Sequence, residues 1–98
     1  MIVRSWRGRA PQNRADSYAR HFLYVVLPKL QSLQGFAGGT LLRRTVGDEI
    51  EFLVLTSWES MDAVKQFAGN TPDVAVVDAD ARALLSTFDA TVDHWSST

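Results

Sequence analysis

The chain contains no cysteine, which excludes disulfides, thiolate metal ligands, thiol nucleophiles and cysteine-held iron–sulfur clusters. It has two imidazoles, His21 and His94, far apart in the sequence. A zinc or iron centre needs three or more protein ligands, so no metal site is expected. No stretch approaches the roughly 18 consecutive apolar residues of a membrane span, and Met1 to Arg9 holds three arginines and no apolar run. A signal peptide is therefore not expected, and the cytoplasm is the default compartment. Nucleotide-binding glycine loops, zinc-protease histidine pairs, the nucleophile elbow and the calcium loop are all missing as motifs.

What is present is a chain of 98 residues, 46% hydrophobic and 21% charged. That is the composition of a soluble globular domain, long enough for one core and too short for two. A single domain over residues 1–98 is expected. The net charge of −1 hides a division: residues 1–49 sum to +5 and residues 50–98 to −6. Such a split points either to an anionic partner or to mutual neutralisation within the fold or across a dimer. The basic residues do not gather on one predicted helix face and the pI is about 6.0, so nucleic-acid binding is not expected. Pairs such as Arg4 or Arg44 with Glu51 or Asp93 are the expected outlet for the charge.

Residues 2–7 read as a first strand ending at Gly8. Tyr18, Phe22, Val25, Val26, Leu30 and Leu33 recur at helical spacing, and Pro28 predicts a break or kink near Val26 to Leu27. Phe36 to Thr45 and Glu49 to Trp58 flank a glycine-containing loop and predict a β-hairpin. Gly35, Gly38 and Gly39 open its first strand, where a bulge is a better reading than a phosphate cradle. Ser60 is an N-cap for a helix ending at Gly69. Asp78 to Phe88 reads as a further helix, and Phe88 to Trp95 alternates as a last strand.

This order, β, α, β, β, α, β, is that of an α+β, ferredoxin-like fold with a four-stranded antiparallel sheet and helices on one side. The strand Glu49–Trp58 is largely apolar on both faces. A second copy of the sheet is therefore expected to cover the face without helices, as a symmetric homodimer.

Chemistry-bearing candidates are few. His21 borders the apolar stripe of the first helix and His94 lies in the last strand; each is a candidate acid/base near neutral pH and each has a plain structural reading. Trp6, Tyr24, Trp58, Phe67 and Phe88 are candidates for an aromatic pocket between sheet and helices, or for ordinary core. Arg4 shares a strand face with Ile2 and Trp6, and a cation there must meet either an internal acid or an anionic ligand.

The run Gly35-Phe36, Leu41-Leu42-Arg43-Arg44, Gly47-Asp48-Glu49, Glu51-Phe52 and Ser57-Trp58-Glu59-Ser60, continuing into Met61-Asp62-Ala63-Val64 and Phe67-Ala68, resembles the antibiotic biosynthesis monooxygenase-like family of dimeric α+β barrel proteins. The tail Ala83-Leu84-Leu85, Phe88-Asp89 and His94-Trp95 resembles the same group. The resemblance implies a dimeric barrel and, as one activity of the family, cofactor-independent oxygenation of a small aromatic or polycyclic substrate. Arg4, His21 or His94 would then assist proton removal, and no cofactor is expected. The family's haem-degrading branch uses an Asn on strand one, a Trp on the second main helix and a His shortly after it. By spacing, this chain has Trp6, Phe67 and Val77 there. The alternative is a non-catalytic ligand-binding or stress-related dimer whose pocket is filled by Trp6 and Trp58.

Overall fold

Strand β1 (Ile2–Pro11) runs past Gly8 without interruption in a computed structural model that describes residues 1–98. Gly8 is a gap in the strand's surface rather than its end. A Cβ built there would lie 2.9 Å from Cη2 of Trp6, whose indole lies across it.

Helix α1 (Gln12–His21) continues through a π-helical turn (Phe22–Val26) into α2 (Leu27–Gln31). The break expected at Pro28 is replaced by this wider turn, in which the Leu27 N–H reaches Phe22 O, five residues back. Pro28 has no N–H to offer the preceding turn, and the widened ladder absorbs that loss without ending the helix.

Strands β2 (Phe36–Val46) and β3 (Glu49–Trp58) form the hairpin, and Val46 pairs with Glu49. Only Gly47 and Asp48 remain in the loop, with Gly47 at φ 63° where a tight hairpin turn favours glycine. The register slips between Phe36 and Gly38, the bulge expected of the glycine cluster.

Helix α3 (Met61–Ala68) is capped by Ser60, whose Oγ accepts the Ala63 N–H at 3.1 Å. Helix α4 (Ala79–Leu84) is shorter than the predicted span to Phe88, because Leu85 is already extended and β4 (Thr87–Phe88) pairs with β1. The last strand is likewise split, resuming as β5 (Asp93–Ser96). Gly8 faces Phe88 and Ser5 faces Asp93, so three steps along β1 are matched by five on the partner. Between them the chain leaves β1 for the segment 73–75: Ala75 N–H donates to Ala90 O, Val92 N–H to Asp73 O, and Val74 bridges Thr91.

The antiparallel sheet is open, in the order β2-β3-β1 with β4 and β5 sharing the outer edge of β1. This is the α+β ferredoxin-like arrangement, its fourth strand in two pieces. Trp58, Phe52, Val54 and Thr56 of β3 are buried under the helices. On the opposite face Leu53 and Leu55 are half-buried, whereas Leu42 and Trp95 are exposed. Glu51, also on that face, is clasped by Arg44 at 2.6 Å and Arg9 at 3.1 Å. Of the expected charge pairs, Arg44 with Glu51 forms. Arg4 pairs with neither Glu51 nor Asp93, because it faces the helices while both acids' strand positions face away. No helix is long and apolar enough to cross a membrane.

Candidate functional site

The helical layer touches the sheet through two separate apolar clusters. One gathers Tyr18, Phe22 and Phe52 with Ala81 and Leu85; the other gathers Leu30, Trp58, Ala63 and Val64. Between them lies a cavity of about 480 Å³, within the range of small-molecule sites. Its floor is the middle of β1 and β3 through Arg4, Trp6, Val54 and Thr56. Tyr18, His21 and Phe22 supply one wall, Phe67 and Val76 to Asp78 the other.

Of the residues expected at a site, Arg4, Trp6, His21 and Phe67 line this cavity. His94 sits behind Arg4, with Nε2 3.0 Å from Arg4 Nη1. Tyr24 lies off the cavity and is 73% exposed, since it stands two positions beyond buried Phe22, which carries it roughly half a turn round the helix. Trp58 is fully buried. It stacks on Phe67 at 5.8 Å and donates its indole N–H to Thr56 Oγ1 at 2.9 Å, so it supports the cavity wall as core. Phe88 packs beside Trp6 at 6.1 Å, outside the cavity. Trp6 is held by its own N–H, which donates to Asp89 O at 2.8 Å. The indole leaves the cleft open.

Two polar constellations reach the cavity, one through His21 and Asp78 and the other through Arg4. His21 Nε2 lies 3.0 and 2.9 Å from the two carboxylate oxygens of Asp78, and the imidazole is 11% exposed. Burial pushes the Asp78 carboxyl up, but the Ala81 N–H, the His21 hydrogen bond and the charges of His21 and Lys29 outweigh it and hold it below its ordinary range. Tyr18, buried beside this pair, is pushed up by burial first and by Asp78 second, so its phenol stays protonated.

The second constellation is Arg4, His94 and Asp73. A guanidinium only donates, so His94 Nε2 accepts, which leaves the ring proton on Nδ1, 3.3 Å from Asp73 Oδ1. The other Arg4 hydrogen bonds go to Pro72 O and, at 3.1 Å, to Val74 O. Its guanidinium lies 5.8 Å from the Phe67 ring centroid.

Asp78, Tyr18, Val76 and Val77 escaped the sequence reading as site residues. Asp78 carries a local signal only as a helix cap; nothing local links it to His21, 57 residues away.

No family model and no curated protein sequence matches the chain. Solved structures match it over nearly its whole length. A point variant of SnoaB, a cofactor-independent oxygenase from Streptomyces nogalater, superposes with a TM-score of 0.71 at 18% identity, covering 98% of this chain and 91% of that one. A candidate antibiotic biosynthesis monooxygenase from Bacillus cereus gives 0.68 at 16% identity, covering 99% and 94%. The chain has the antibiotic biosynthesis monooxygenase fold. MhuD, a haem degrader from Mycobacterium tuberculosis with two haems bound in its active site, shares that fold at a TM-score of 0.66 and 19% identity, covering 99% and 95%.

Within the cavity wall Val77 brings no metal-binding atom, His94 behind Arg4 is engaged on both ring nitrogens, and His21 is bound to Asp78 through Nε2 alone.

Proposed function

We propose that the chain forms a homodimer in which each protomer binds a small aromatic molecule between sheet and helices and oxygenates it with O₂ without a cofactor. The observation that carries this reading is the apolar cavity of about 480 Å³ with the His21–Asp78 pair on its wall. Asp78 orients the imidazole, which takes a proton from an acidic ring CH₂ of the substrate. The resulting carbanion adds O₂ and recovers the proton as a hydroperoxide. Loss of water then converts the CH₂ to a carbonyl, one oxygen atom entering the product and the other the water. Dimerisation is supported by the helix-free sheet face, where Val3, Leu53 and Leu55 adjoin exposed Leu42 and Trp95. The alternative of a pocket filled by its own tryptophans has less support, since Trp58 lies in the core and Trp6 leaves the cleft open.

Aerobic incubation with a panel of phenols, quinols and anthrone-type ring ketones, without flavin or metal, tests the activity. Oxygen uptake is expected for at least one, falling by about 100-fold or more in His21→Ala. No uptake across the panel would sink the oxygenase reading.

A further inference from the structure

Arg4 is 5% exposed yet forms no ion pair with a carboxylate. Its three hydrogen-bond partners, Pro72 O, Val74 O and His94 Nε2, are all neutral acceptors. Asp73 reaches it only through His94. Burial lowers the pKa of Arg4 from its ordinary value, and the charge of Asp73 offsets this only in part.

Two of the five Arg4 N–H groups, Nε–H and one on Nη2, are left without an acceptor. Arg4 Nε makes no hydrogen bond, and no side-chain nitrogen or oxygen is both sealed from solvent and unpaired. Nε is therefore not sealed from solvent, and Arg4 is one of the residues that line the cavity. The carbonyls and His94 fix the guanidinium from behind, and Phe67 lies against it. A second cation, Lys29, lines the same cavity, whereas its one carboxylate, Asp78, is already bound to His21. The walls are otherwise mainly apolar.

We infer that the cavity selects an aromatic anion, whose carboxylate, phenolate or enolate oxygen accepts from Arg4 Nε while its rings lie against Trp6, Phe22 and Phe67. This rests on the reading of the cavity as a ligand site and adds the ligand's charge and its anchor. Arg4 is a specificity-determining residue, and the His94–Asp73 pair positions it. A fixed guanidinium in a mainly apolar pocket favours a charged oxygen over a neutral one of equal shape.

Calorimetric titration with 2-naphthoate and its uncharged analogue 2-naphthamide at pH 7 tests the inference. The anion is expected to bind at least about tenfold more tightly to the wild-type protein, and Arg4→Met is expected to abolish that preference. Equal binding of the two probes, or an undiminished preference in folded Arg4→Met, would overturn the anion assignment while leaving the pocket reading intact. Binding of neither would overturn both. Should Arg4→Met fail to fold, the Arg4 Nε–H resonance of the wild-type protein decides: it shifts with naphthoate more than with naphthamide, and an equal response to both overturns the inference.

Discussion

Asp78 holds His21 with both carboxylate oxygens, at 3.0 and 2.9 Å from Nε2, while Oδ1 also accepts the Ala81 N–H at 2.7 Å. One side chain thus starts helix α4 and orients the candidate base, and two substitutions separate these roles. Asp78→Asn keeps a competent cap and removes only the charge, so it should lose less stability than Asp78→Ala. Asp78→Ala should cost about 1 kcal/mol of stability. Turnover should fall in both, by up to about 100-fold, measured on an oxygen electrode beside thermal melts. Full activity in Asp78→Asn would remove the carboxylate from the proton-transfer step.

Glu51 predicts how the protein responds to acid. Burial favours its protonated form, but hydrogen bonds from Arg44 at 2.7 Å and Arg9 at 3.1 Å, with their charges, outweigh that and hold its pKa below the ordinary value. The unfolded chain titrates at the ordinary value. The stabilisation is therefore fully present above that range and is lost as pH falls through the depressed folded value. Asp78 contributes in the same sense. Urea unfolding should give a plateau above about pH 5 and a decline below about pH 4. Because Arg9 and Arg44 are 42% and 68% exposed, Glu51→Gln should cost only about 1–2 kcal/mol at neutral pH. It should also flatten the acid limb; an unchanged slope would place the sensitivity elsewhere.

The parts of the fold legible in the sequence rest on local chemistry. Ser60 and Gly69 bound α3, Gly47 turns the hairpin, and the Gly38 region forms a bulge. Arg4 stood out because its strand parity put a charge among apolar neighbours. What escaped depends on distant chain. Residues 89–92 leave β1 because the segment 73–75 offers them hydrogen bonds, and no periodicity within the last strand reports that. Trp58 and Trp6 share the same sheet face, yet one is sealed under α3 and the other borders open space. That difference is set by where the helices lie. His21 meets Asp78 only after the whole hairpin has intervened, so the site's acid was invisible while its imidazole was not.

Gly35 and Gly47 separate backbone strain from steric overlap. Both have positive φ, 85° and 63°. A Cβ at Gly47 meets nothing within 4 Å, whereas one at Gly35 would lie 2.6 Å from Ala63 Cβ at the start of α3. Gly47→Ala should cost about 1–2 kcal/mol from conformation alone. Gly35→Ala should exceed it by about 1–3 kcal/mol, because α3 must shift to admit the methyl group. Equal losses in urea unfolding would mean that α3 moves freely.

The helix-free sheet face is tested at Leu55, which lies opposite Ser5 on one side and Thr40 on the other. Its neighbours on that face include Leu53 and Val3, with Trp95 60% exposed at the edge and its indole N–H tied to Ser5 Oγ at 2.9 Å. A charge placed there remains solvated in a lone protomer but is desolvated between two sheets. Leu55→Asp should therefore convert a dimer to a monomer in sedimentation velocity while leaving the helix-side core folded. A wild-type monomer at tens of micromolar protein would sink the dimer outright. A variant that stays dimeric would move the interface to another surface, and the apolar character of Leu53 and Leu55 would then need a different cause.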